Sequence, residues 1–120
     1  MVAKKFSFPK TRRLTNPAEF ERVRKSGQAH RGELLVLSVL LAAAAGPFRA
    51  GFITSRRIGG ATVRNRVRRR LREIVRRHQH EIVDGLWVVT IARDAAAPAT
   101  FAELEDAWLR LAKRASILAH

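Results

Sequence analysis

The 120-residue chain contains no cysteine and only ten carboxylates. The first absence excludes a disulfide framework, thiolate chemistry and cysteine-ligated zinc. The second leaves little from which to build the paired general acid and base, or the metal-clamping cluster, of a protein nuclease. The carboxylates present fall mostly at first-turn or exposed helical positions. A GxxxxGKS-like phosphate loop is also missing. Long hydrophobic segments are absent too: the longest apolar run, Leu34 to Ala45, is too short to span a bilayer and lies too far inside the chain for a secretory signal. The expectation is a soluble, cytoplasmic protein with no membrane partner. No internal repeat or linker divides it, so residues 1–120 are read as one domain.

What the chain does have is positive charge. Lysine and arginine total 24, of which five are lysine and 19 arginine, and the net charge is +14. Arginine is the planar donor suited to phosphate oxygens and to stacking on bases. Charge of this size repels itself unless a polyanion neutralises it, which points to nucleic acid ahead of an anionic membrane surface. An apolar content of 47% argues against general disorder.

The first residues, with Lys4, Lys5, Lys10, Arg12 and Arg13 around Pro9, read as a basic arm over about 1–13. The segment TNPAEFERVRKSG then carries helix signals: Asn16 as N-cap, Pro17 at the first helical position, Glu19 in the first turn and Gly27 as the stop. From Glu33, ELLVLSVLLAAAA suits either a buried helix or a central strand, and is read as a strand through about Leu41. The alanines with Gly46-Pro47 form a turn. FRAGFITS follows as a second strand, with Phe48, Ala50, Phe52 and Thr54 on one face. LWVVTIAR, 86 to 93, is a strand covered on both sides. Thr100 with Glu103 makes a capping box, and Phe101, Leu104, Trp108, Leu111, Ala115 and Leu118 predict a helix running to the end. The order suggests an α+β sandwich with a small sheet.

Between the second and third of these strands lies GGATVRNRVRRRLREIVRR, residues 59–77, with eight arginines from Arg64 to Arg77. At 100° per residue, Val63, Val67, Leu71, Ile74 and Val75 form one core-facing stripe. Arg66, Arg69, Arg70, Arg72, Arg76 and Arg77 lie outside it, predicting guanidinium groups fanned across the face shown to water. A basic-region helix reading the DNA major groove is disfavoured, because the apolar stripe is committed to this domain and no leucine heptads follow. His78-Gln79-His80-Glu81 offers candidate metal ligands, but positions i and i+2 point to different sides of a helix.

The stretch TSRRIGGATVRNRVRRRLREIVR resembles the signature of the bacterial ribonuclease P protein component. Arg64-Asn65-Arg66 matches the family's RNR motif, and Ser55-Arg56-Arg57-Ile58-Gly59 its lead-in. The pattern of Arg13, Leu14, Phe20, Val23 and Gly27 also agrees, as does IAR at 91 to 93, so the resemblance runs from about residue 12 to 118. It implies an αβββαβα two-layer sandwich with a small, mostly antiparallel sheet and a left-handed βαβ crossover through the basic helix, against the usual hand.

It further implies a ribonucleoprotein whose RNA subunit, with bound Mg²⁺, removes the 5′ leader of precursor tRNA, the protein assisting without supplying catalytic residues or binding metal itself. The implied partners are the catalytic RNA and precursor tRNA, with no obligate protein partner. By the same resemblance, Arg64, Asn65, Arg66, Arg69 and Arg70 contact the RNA subunit. Phe20, Arg24, Arg56, Arg57 and Arg93 border a cleft for the single-stranded leader. Many relatives carry further aromatics where this chain has Arg24 and Ser38, so guanidinium stacking or phosphate contact from Arg24 is expected to offset weaker base stacking. The competing class is a structural RNA-binding protein such as a ribosomal protein, which explains the charge but not the leader cleft.

Overall fold

The structure, a computed structural model, describes residues 8–42 and 46–119. Lys4 and Lys5 of the expected arm and Ala43, Ala44 and Ala45 of the expected turn lie outside the described residues. The first helix, α1 (Pro17–Ser26), starts as its sequence predicts: the Asn16 side chain accepts from the Ala18 N–H, and Glu19 reaches back to the Asn16 N–H. Strands β1 (Gln28–Arg31), β2 (Leu35–Leu41) and β3 (Arg49–Ile53) follow, then α2 (Ala61–His78), β4 (Leu86–Ala92) and α3 (Phe101–Arg114). The order along the chain is the expected αβββαβα.

The four strands form one mixed sheet in the order β1-β2-β4-β3. β1 with β2 and β2 with β4 are antiparallel, whereas β3 and β4 are parallel and joined through α2. Central β2 and β4 are apolar on both faces because both faces are covered. Leu35, Leu37 and Val88 belong to the larger core, shared with Val67, Leu71 and Ile74 of α2 and with Leu104, Trp108 and Leu111 of α3. Val89 belongs to a smaller core with Leu14 and Val23 under α1. The main sandwich is thus sheet on α2 and α3, with α1 adding a partial layer on the opposite face. Trp108 is fully buried and donates its indole N–H to Thr90 Oγ1 at 3.2 Å, which satisfies two buried polar groups at once.

One expectation gains detail and another needs correction. The basic arm is docked from Phe8 onward: Phe8 is buried, stacks on Phe48 at 6.3 Å between ring centroids, and accepts from the Arg13 guanidinium through its carbonyl. Arg12 donates to buried Gln79 Oε1 at 2.8 Å. The Phe8 ring supplies the apolar surface that seats this segment on Phe48 despite the charge around it. The last helix also stops before the chain does, at Arg114. Ser116 takes a positive φ of 59°, and Leu118 bridges back to Ile82.

α1 leaves the sheet through Gly27, where a side chain would have no room. A Cβ there would lie 2.7 Å from the Val39 carbonyl oxygen and meet that of Val23 as well, and backbone atoms cannot rotate away. Gly27→Ala is expected to cost about 1–3 kcal/mol, read as a fall in Tm. Gly60→Ser, at a cap position with open space around it, is expected to leave Tm equal or higher.

Candidate nucleic-acid interface

α2 presents its arginines in two rows rather than one fan. Asn65, Arg68, Arg69 and Arg72 are spaced i, i+3, i+4 and i+7, which places them on one edge of the helix. There they line a single depression. Arg68 is held in place: it donates to Asn65 Oδ1 at 3.0 Å and to Thr54 Oγ1, at the end of β3, at 2.6 Å. Arg69 and Arg72 are exposed. Among the described residues no carboxylate lines the depression, so three guanidinium groups and an amide converge on a space suited to phosphate oxygens.

The other row differs from the expected solvent-facing display. Arg66 and Arg70, one turn apart, are half-buried and donate to the carbonyls of Ala97 and Ala99, each at 3.0 Å. They tie α2 to the segment that leads into α3. Arginine stems flanking an apolar stripe are long enough to reach such carbonyls, and the backbone acceptors need a donor. Arg64 borders the stripe and is half-buried; its Nε, like that of Arg66, is buried without a hydrogen-bond partner among the described residues. Further along, Arg76 is paired with Glu73, and this hydrogen bond holds the Glu73 carboxyl below its ordinary range. Arg77 lies 3.3 Å from Glu105 and over the Phe101 ring. The charge left for an external anion is therefore concentrated in the first two-thirds of the helix.

The second group sits on the sheet face that α1 only partly covers. Phe20 rests on Gly51, where any Cβ would overlap its ring, and stays half-buried. Arg24, one turn on, is exposed on the same edge of α1. Beyond Gly51 on this face lie the half-buried, paired Ile53 and Ile91. Past them, Arg57 and Arg93 meet Ser55 and Ile91 around one shallow depression, which Glu33 and Asp94 also line. Arg93 additionally donates to the Gly32 carbonyl at 2.8 Å, pinning the β1–β2 turn. Arg56 is exposed on the short turn Arg56–Ile58 but does not line this depression. Ser38 is buried under α1 and offers no surface. The segment from Thr54 to Arg57, with Arg56 and Arg57 exposed, runs between the two groups.

On the opposite side of α1, Trp87 is half-buried beneath two guanidinium groups, Arg22 at 5.2 Å and Arg49 at 5.4 Å from the ring. In the sequence Trp87 reads only as a strand residue, whereas the i, i+3, i+4 and i+7 spacing of Asn65, Arg68, Arg69 and Arg72 is a signal that groups them on one helix edge. His78, considered above as a metal ligand, instead stacks on Trp108 and meets Glu81 and Glu105 at 3.0 and 2.9 Å. Among the described residues no group of three or more histidines and carboxylates is placed to hold a metal ion, and no helix is long and apolar enough to cross a membrane.

The family model described as Ribonuclease P matches residues 8–116. The ribonuclease P protein component of Roseiflexus castenholzii is 39% identical over 112 residues, covering 88% of this chain and 87% of that one. Its counterpart from Symbiobacterium thermophilum is 38% identical over 109 residues, covering 91% and 95%. Among solved structures, the RNase P protein of Staphylococcus aureus superposes with a TM-score of 0.84 at 25% identity, covering 89% of this chain and 97% of that one. That of Thermotoga maritima gives 0.77 at 29% identity, covering 85% and 96%.

Proposed function

The chain belongs to the ribonuclease P protein component family and is thus a subunit of ribonuclease P, which processes tRNA; from that premise we propose that it holds the catalytic RNA on one surface and the precursor's leader on another. The depression formed by Asn65, Arg68, Arg69 and Arg72 is the observation that carries this reading. Its unneutralised guanidinium groups bind backbone phosphates of the RNA subunit, with Arg64 beside them at the border of the apolar stripe. Arg66 and Arg70 position the helix through the Ala97 and Ala99 carbonyls. The uncapped N-terminus of α2, where Gly60 has no side chain to accept from first-turn N–H groups, adds a favourable pole for phosphate.

The leader lies along the groove beside α1. Phe20 stacks on an unpaired base, and Arg24, Arg56, Arg57 and Arg93 contact its phosphates. By the same reading we assign Mg²⁺ and the hydrolytic step to the RNA subunit and no catalytic residue to this chain. The protein acts by lending charge and by orienting the leader, and is accordingly placed in the cytoplasm with the RNA and precursor tRNA as its partners.

Capture of the tagged protein from cells, followed by sequencing of the bound RNA, tests the assignment. One abundant large RNA of the ribonuclease P type is expected, whereas predominant ribosomal RNA would overturn it. Protein freed of RNA is expected not to cleave precursor tRNA with any divalent ion, and addition of the RNA subunit to restore cleavage. Cutting that survives ribonuclease treatment of the preparation would place the chemistry in the protein.

A further inference from the structure

We infer that Trp87, with Arg22 above it, is a second stacking site for an unpaired ribonucleobase, on the side of α1 away from Phe20. The inference rests on the reading of this sheet face as a single-strand RNA surface, and names a subsite in it. The placement follows from helix geometry. Glu19 and Arg22, three residues apart, share the edge of α1 that faces Arg49 and Trp87, while Phe20 and Arg24 share the edge that faces Ile53 and Ile91.

The two arginines over Trp87 are not equivalent. Arg49 is fixed, donating to Glu19 at 2.8 Å and to the Arg13 carbonyl at 3.0 Å. Arg22 is exposed and, among the described residues, engages only the ring. A half-buried indole with one pinned and one free guanidinium is a platform whose cover can move. A base entering against the ring displaces Arg22 from the indole face, and the released guanidinium is then in reach of the phosphate attached to that base. Arg49 and Glu19 keep the ring from tilting. Indole is the best aromatic face for cations, and its large π surface accepts any base. The site therefore takes single-stranded RNA without strong sequence preference, and it supplies aromatic surface in a chain whose α1 has Arg24 in place of a second ring.

Intrinsic fluorescence isolates this residue, because the other tryptophan, Trp108, is fully buried with its N–H bonded to Thr90. The full chain is titrated with a single-stranded oligoribonucleotide of about ten nucleotides, with a blunt duplex of the same sequence, and with heparin as a polyanion without bases. The single strand is expected to quench emission, and the duplex and heparin to leave it largely unchanged although they bind. Trp87→Phe is expected to remove the quench, and Trp87→Leu to weaken single-strand binding about fivefold or more. Arg22→Ala, which uncovers the indole but removes the guanidinium, is expected to weaken it as well.

Emission unchanged at saturating single-strand binding, or quenched equally by heparin, would overturn the inference. So would loss of the quench in Phe20→Leu, because one site would then be reporting for both. Failure of the parent reading looks different: capture of ribosomal rather than ribonuclease P RNA would remove the leader from the argument while leaving single-strand quenching by Trp87 intact.

Discussion

Replacing Arg69 and Arg72 together by alanine is expected to weaken binding of the RNA subunit about 30-fold at 0.1 M salt, and to flatten the log–log salt dependence by about 1.4–1.8. The figure follows from one phosphate contact per guanidinium, each releasing counterions that add roughly 0.7–0.9 to the slope. Both side chains are exposed and line the same depression, and neither makes a hydrogen bond among the described residues, so folding and Tm should stay near wild type. The paired substitution of Arg66 and Arg70 is the informative contrast. It removes the donors to Ala97 O and Ala99 O and is expected to lower stability by about 1–3 kcal/mol through unsatisfied carbonyls and lost packing. Salt titrations of affinity alongside thermal melts separate the two rows. An unchanged slope in the Arg69/Arg72 variant would mean that the RNA subunit docks on another surface.

That contrast also marks what the sequence could and could not reveal. Periodicity identified the stripe from Val63 to Val75, because burial on one side of a helix leaves a 3.6-residue trace. It could not say which flanking arginines face water, because that depends on whether a carbonyl from a distant segment lies within reach of the guanidinium. The Ala97 and Ala99 carbonyls are some thirty residues away in sequence and leave no mark near Arg66 or Arg70. Trp87 was hidden for a related reason. A tryptophan in a strand of continuous apolar character reads as core, and only the placement of α1 across the sheet, with Arg22 and Arg49 over the ring, shows it to be half-covered.

Among the elements, those with local chemistry were the legible ones. Asn16 with Glu19, and Thr100 with Glu103, cap α1 and α3 as their spacing requires, since capping bonds form within one turn. The ambiguous run after Glu33 became a strand because β1 and β4 pair on either side of it. β1 itself, Gln28–Arg31, has almost no apolar alternation and mostly exposed side chains. It exists because the edge of β2 supplies hydrogen-bond partners, which is a property of β2 and not of its own sequence. The docking of Phe8 against Phe48 was likewise outweighed, in a reading by composition, by the lysines and arginines around it.

Phe20→Leu is expected to lower the ratio of precursor to mature tRNA affinity in the holoenzyme about fivefold or more, with RNA-subunit binding nearly constant. The argument starts from Gly51. Because position 51 has no side chain, the Phe20 ring lies down on β3, which fixes its plane while leaving it half-buried at the groove. A ring held in this way stacks on a base without first losing rotamer freedom, and mature tRNA has no leader base to offer. Leucine preserves the apolar contacts with Leu14 and the smaller core but presents no π face. The leader's phosphate contacts from Arg24, Arg57 and Arg93 remain, so binding of the precursor should weaken without being lost. Precursors with leaders of increasing length sharpen the test: wild type should gain affinity once the leader reaches Phe20, and the variant should gain less at the same length. A folded Phe20→Leu protein that keeps the wild-type ratio at every length would make Phe20 a packing residue and leave leader recognition to the arginines and Trp87.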